Sequence, residues 1–167
     1  MRISYYFFLL MLLEVFPLAV DGQSLTKQAS VTISGEVKTP VELKVEDINK
    51  MELTQVTKKD KNQVEHIYSG IELSQLLSTA GVALGKELRG EHLLKYLLIE
   101  ASDGYQVLFS LAEADPEFVS RKIILAIKKD GSLLPSDEGP FHIIIDGEGR
   151  GSRNVRQVTS IKVKFAD

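Results

Sequence analysis

Arg150, Arg153 and Arg156 lie in and just after a glycine-rich stretch, Gly147-Glu148-Gly149-Arg150-Gly151-Ser152-Arg153. Glycines let backbone N–H groups approach a ligand closely, and guanidinium forks match phosphate oxygens two bonds at a time. Arg150, Gly151, Ser152, Arg153 and Arg156 are therefore candidate binding residues for a phosphate or another small anion. The same composition suits a solvated turn whose arginines pair with nearby carboxylates, and the residues alone leave both readings open. Tyr105 follows an Asp103-Gly104 turn at the start of an alternating run. A tyrosine there is usually half-buried with its hydroxyl toward water. His142 stands between Phe141 and Ile143, a setting in which an imidazole is more often packed than reactive.

Other chemistries are harder to build from this chain. Its 167 residues contain no cysteine. That removes a disulfide framework, a thiolate nucleophile and a thiolate metal ligand together. The histidines, His66, His92 and His142, lack ligand-like spacing, so neither zinc nor haem is expected. No serine sits in a Gly-x-Ser-x-Gly context, which argues against a hydrolase of that kind. Lys and Arg number 20 against 23 Asp and Glu, scattered along the chain, so no concentrated basic face for nucleic acid is expected. The one charge run, Lys58-Lys59-Asp60-Lys61, is mixed in sign and reads as a solvated hairpin tip.

The N-terminus carries an address. Arg2 precedes a largely apolar stretch from Tyr5 to Val20, broken by Glu14 and Pro17, and small residues follow around Ala19. This predicts a signal peptide over residues 1–22, cleaved between Ala19 and Gln23, and export to the periplasm or beyond. The stretch is short for a span, since about 20 apolar residues are needed to cross a bilayer. No stable membrane span is expected after cleavage, and residues 23–167 suit one domain with one core.

That domain reads as strands with a few helices between them. Val31 and Ile33 alternate up to Gly35, and Pro40 opens a second extended piece through Val41, Leu43 and Val45. A helical turn is expected at Glu46 to Met51. Met51–Val56 and Gln63–Tyr68 predict a hairpin that Ser69-Gly70 breaks. Leu73, Leu76, Leu77 and Ala80 recur at helical spacing, with Gly81 placed to cap the helix C-terminus. Further strands are expected at Tyr96–Glu100, Tyr105–Phe109, Ile123–Ile127, Phe141–Ile145 and around Ile161, Val163 and Phe165. One helical turn falls at Leu111–Ala114. Short strands with interspersed helices predict an α+β fold rather than a wound parallel sheet.

Four ordered segments resemble one family. They are Ile33-Ser34-Gly35-Glu36-Val37 through Leu43; Tyr68-Ser69-Gly70-Ile71-Glu72-Leu73 through Leu77 with Ala80-Gly81-Val82; Ala101-Ser102-Asp103-Gly104-Tyr105 through Ala114; and Ile124-Leu125-Ala126 through Glu138-Gly139-Pro140-Phe141 to Gly151-Ser152-Arg153-Asn154-Val155-Arg156. In this order they resemble the oxidoreductase molybdopterin-binding domain family, which includes sulfite oxidase. The resemblance implies a sulfite oxidase-type fold with a mixed sheet, barrel-like core. It implies molybdopterin as the candidate cofactor, its phosphate held by the arginine-bearing loop, with Tyr105 near the metal as the candidate catalytic residue. His142 would stand on the strand position where relatives often carry an arginine. The chain departs from the pattern where it matters most. Catalytic members bind molybdenum through a cysteine thiolate, and the matching strand here reads Met51-Glu52-Leu53-Thr54-Gln55-Val56-Thr57. Neither Thr54 nor Gln55 replaces a soft sulfur donor. The upstream region that helps enclose the pterin in larger members is also missing from the pattern. Two readings follow: an exported molybdopterin-binding domain without ordinary oxotransferase activity, or a cofactor-free envelope module that recognises a small anion, a peptide or a partner protein.

Overall fold

The computed structural model describes residues 29–149 and 151–166. Residues 1–28, where a leader and lead-in are expected, lie outside them, as does Arg150. The described strands form two sheets. One has the order β2 (Val41–Lys44), β1 (Ser30–Gly35), β10 (Val158–Phe165), β5 (Lys95–Ala101) and β6 (Gln106–Ser110). The other runs β3 (Thr54–Lys59), β4 (Glu65–Glu72), β7 (Ile123–Lys129) and β8 (Ser132–Leu133), with β9 (His142–Ile145) also paired to β7. β1 and β10 pair in parallel, and the other neighbours are antiparallel. Helices α1 (Val45–Asn49) and α2 (Leu73–Thr79) follow β2 and β4.

Period-2 patterning decides which faces meet. Val31 and Ile33, Leu97 and Ile99, Val107 and Phe109, and Ile161 and Val163 point inward from the first sheet. They meet Ile71, Leu125, Ile127, Ile143 and Ile145 from the second, with Leu73, Leu76 and Leu77 of α2 closing the same core. β7 is buried along Ile123–Ile127 because its other face serves a second cluster with Val56, Tyr68 and Ile144. That second face of the β3–β4–β7–β9 sheet carries the site described below.

Two expectations change. Ser69-Gly70 does not break β4, which continues to Glu72 with a register shift against β7 between these two residues. A side chain at Gly70 would meet the backbone of Leu125 and Ala126, so glycine here serves a close approach rather than a turn. The fold also adds a short strand, β8, formed as the chain folds back after Asp130-Gly131. The helix over Leu73–Thr79 does end as predicted. Gly81 takes φ +73°, and the N–H of Val82 donates to the Leu77 carbonyl at 3.1 Å.

Candidate functional site

A cleft of about 770 Å³ opens on the second face of that sheet. The β3–β4 hairpin tip forms one wall and the loop at residues 147–151 another, with Asn154 and Arg156 beside them. A second, smaller hollow of about 260 Å³ lies by Val45, Ile127, Leu134 and Pro140 and is mainly apolar. The larger cleft is the better candidate, because charged groups from distant parts of the chain converge there. Lys58, Lys59, Lys61, Lys129 and Arg156 outnumber Asp60, Glu138 and Glu148 around it.

Its floor is a buried polar group built from three elements. Glu138, in the turn before β9, accepts hydrogen bonds from Lys129 Nζ of β7 at 2.8 Å and from the Tyr68 hydroxyl of β4 at 3.1 Å. The Lys129 ammonium also lies 5.4 Å from the centre of the Tyr68 ring. Burial alone would raise the Glu138 carboxyl, but the bond and charge of Lys129 outweigh it and hold the pKa below its ordinary value. Burial raises the Tyr68 phenol. At neutral pH the group is therefore a carboxylate, an ammonium and a neutral phenol.

His142 completes this floor and differs from its neighbours. Its ring packs edge-on against Tyr68 at 5.8 Å, and its side chain is 5 % exposed. Nδ1 lies 3.3 Å from Glu138 Oε2, a charge contact rather than a hydrogen bond, and Nε2 has no partner. Burial lowers its pKa to about 4 against the opposing pull of Glu138, with Arg156 and Lys129 adding to the downward push. The ring is neutral. Buried polar atoms are nearly always paired, which makes an unpartnered imidazole in a cationic cleft a pointer to something that binds there.

The structure divides the candidate residues. His142, Arg156 and Gly151 line the cleft. Arg156 is only loosely held, 3.9 Å from Asp137 with both side chains mostly exposed. Ser152 and Arg153 belong to a 3-10 turn, Gly151–Arg153, at the edge of the cleft. Arg153 turns toward carboxylates. Its Nε and Nη2 grip Glu148 at 3.0 and 2.9 Å, and its Nη1 reaches Glu113 at 2.9 Å. Arg121 shares both carboxylates, and the Arg153 guanidinium stacks 4.9 Å from the Phe109 ring centre. Glu113 is placed by a capping box, in which the Ser110 N–H donates to its carboxylate and the Ser110 hydroxyl accepts from its N–H. Tyr105 is half-exposed outside the residues lining the cleft, and its hydroxyl donates to the Ser152 carbonyl at 2.6 Å. The structure adds Lys58, Lys129, Glu138 and Tyr68 to the site. Tyr68 and Glu138 stand inside the motif segments, whereas Lys58 is visible in the sequence only as part of a charged turn.

Arg153 therefore has a structural assignment that can be tested. Lys58 Nζ donates to the Glu148 carbonyl at 3.0 Å, so Arg153 pins a loop that the β3–β4 hairpin also touches. Arg153→Met keeps the stem over Phe109 and removes the fork. We expect a loss of about 1–2 kcal/mol, the scale of charge-assisted hydrogen bonds reduced by partial exposure. Amide exchange at Gly147 and Gly149 should accelerate. Unchanged stability and exchange in that variant would show that the ion pairs contribute nothing.

With fold and cleft in view, comparison places the chain in a class. The chain belongs to the oxidoreductase molybdopterin-binding domain family, whose pattern matches residues 18–167. Its fold is the sulfite oxidase-type α+β fold. Among solved structures it is similar to the sulfane dehydrogenase SoxCD from Paracoccus pantotrophus, with a TM-score of 0.63 and 20 % identity. That likeness covers 81 % of this chain and 38 % of the other, so it concerns a shared fold within a longer protein. No curated protein matches the chain in sequence.

The residues fit the two ends of the family's cofactor unequally. The cationic cleft and its glycine-bearing loop suit an anionic group such as the pterin phosphate. The metal end is not matched. Of the stretch where the resemblance sets the ligand strand, Met51 to Thr57, Thr57 lines the cleft, and a neutral hydroxyl is a poor donor for a metal that the family holds through sulfur. Among the described residues, no cluster of His, Asp and Glu offers an alternative cradle.

Proposed function

We propose that this chain is an exported member of the family that binds an anion, foremost the phosphate of a molybdopterin-type pterin, without performing ordinary oxygen-atom transfer. One observation carries the reading: a cleft lined by Lys58, Lys129 and Arg156 around an unpartnered His142, in a chain that has no cysteine. Arg156 and the backbone of Gly149 and Gly151 would hold the phosphate, with Lys58 and Lys129 supplying field rather than geometry. Bound molybdenum in such a family would supply redox chemistry, and nothing in this cleft offers the sulfur that would anchor it. Export rests on the N-terminal leader, residues 1–22. The competing reading, a cofactor-free envelope module, rests on the same missing cysteine and needs only the anion site.

The test is expression with the native leader in a host that makes molybdopterin, followed by assay of pterin and molybdenum in the purified protein. The expected result is pterin, identified by fluorescence after oxidation, with molybdenum far below one equivalent and no sulfite-dependent electron transfer. Stoichiometric molybdenum with turnover would overturn the non-catalytic assignment. Neither pterin nor molybdenum in repeated preparations would leave the cofactor-free module as the better description.

A further inference from the structure

The loop that supplies Gly149 and Gly151 to the cleft has little packing of its own. A Cβ added at Gly147 or Gly149 would meet nothing within 4 Å, and at Gly151 it would meet only the Asn154 amide nitrogen at 3.7 Å. Backbone bonds fix the two ends, from the Asp146 N–H to the Lys122 carbonyl and from the Asn154 N–H to the Gly151 carbonyl. The middle is fastened through Glu148. Its carbonyl accepts from Lys58 Nζ of β3, and its carboxylate accepts from Arg153 and, at 3.4 Å, from Arg121 just before β7. Both guanidinium groups also donate to Oε1 of Glu113, each at 2.9 Å. The other oxygen of Glu113 accepts from the Ser110 N–H at the end of β6. A glycine-rich turn is thereby tied to β3, to the segment before β7 and to the end of β6. Two carboxylates face two guanidinium groups, so the network is neutral as a whole.

We propose that Glu148 and Glu113 are positioning residues of the anion site: although each is negatively charged, together they strengthen anion binding by holding the Gly149–Gly151 turn in place before the ligand arrives. The proposal rests on the anion-binding reading above. Ordering a glycine-rich turn on binding costs conformational entropy, and a turn already held loses less of it. Charge alone predicts the opposite sign. Glu148 lines the cleft, so deleting its charge should draw an anion in more strongly. If the turn must be held, the same deletion weakens binding. A Glu148 that only stabilised the fold would lower the melting temperature and leave the affinity of the folded protein unchanged or tighter.

The experiment is calorimetric titration of the whole mature chain with inorganic phosphate at pH 7 and fixed ionic strength. Glu148→Gln, nearly the same in shape, should weaken phosphate binding about fivefold, part of the cost of ordering a short loop. Asp137→Asn is the comparison. Asp137 stands 3.9 Å from Arg156 and outside the network, and losing its charge should tighten binding about twofold. Glu113→Gln serves as the second variant should Glu148→Gln fail to fold. Glu113 stands outside the residues lining the cleft, and glutamine suits a capping box as glutamate does. Its amide oxygen can keep Ser110 while its NH2 group faces two guanidinium groups, so binding should weaken here too, by about two- to threefold. Phosphate affinity equal to or tighter than that of the unmodified protein in either folded variant would overturn the proposal. An equal loss in Asp137→Asn would overturn it as well. Failure of the unmodified protein to bind phosphate would sink the anion-site reading itself, and the proposal with it.

Discussion

Gly70→Ala is expected to abolish the folded state or leave it barely populated at room temperature. An ideal Cβ at this position would lie 2.1 Å from the Leu125 carbonyl oxygen, 2.5 Å from Ala126 Cα and 2.6 Å from the Leu125 carbonyl carbon. All three are backbone atoms of β7, the central strand of its sheet, which is flanked by β4 on one side and by β8 and β9 on the other. No side-chain rotation relieves the overlap. β4 must part from β7, taking the Gly70–Ala126 and Ile71–Leu125 pairs with it. Ile71 and Leu125 are fully buried in the main core, so the rupture also opens packing between the sheets. The cost should exceed about 4 kcal/mol, a large share of the roughly 5–15 kcal/mol typical of a whole domain. Gly104→Ala is the control. Gly104 has φ +85°, and a methyl group there would meet nothing within 4 Å. Only the left-handed backbone opposes that change, at about 1–2 kcal/mol. Urea unfolding followed by far-UV circular dichroism separates the two. Similar midpoints for both variants would mean that β4 and β7 do not approach this closely.

The same glycine shows where sequence reading stops. Ser69-Gly70 has the composition of a break, and a glycine between two strand-like runs is equally consistent with a turn or with a close backbone approach. Only the register of β4 on β7, set by residues far along the chain, decides between them. Strands whose information is local are readable: Val31 and Ile33, Tyr96–Glu100 and the run through Ile161, Val163 and Phe165 alternate in and out as the sheets require. The helix at Leu73–Thr79 is readable for the same reason, since its buried face and its capping glycine are neighbours in sequence. The cleft divides along similar lines. His142 and Arg156 stand out through family likeness, and the arginine-bearing loop through its composition. Arg153 follows the second reading its loop allowed, pairing with the nearby Glu148, and only its bond to Glu113, 40 residues distant and placed by a capping box on another element, lies beyond local reading. Lys58 looks like a solvated turn residue because nothing near it in sequence reveals the Glu148 carbonyl across the cleft.

Acidification from pH 7 toward about pH 4.5 is expected to weaken the fold through His142 before the carboxylates begin to contribute. The ring titrates at about 4 in the folded protein and near its ordinary value of 6.5 once unfolded. Between those values the unfolded chain binds a proton that the folded chain refuses, so stability falls as pH falls. It is fully present above about pH 6.5 and lost progressively down to about pH 4. The whole effect is on the order of 3 kcal/mol, from about 1.4 kcal/mol for each unit between the two values. Glu138, Glu113 and Glu148 behave as depressed carboxylates. Their contribution is present above the ordinary Glu value of 4.5 and disappears below it, so the upper part of the window belongs to the imidazole. His142→Phe removes that imidazole and should flatten the pH dependence of the urea midpoint between about pH 6.5 and 5, while leaving stability at about pH 7 equal or higher because two unpaired buried nitrogens have gone. An unchanged slope in this variant would show that the ring is not held neutral by the fold. A flattened slope would show that burial, against the pull of Glu138, is what keeps the ring neutral.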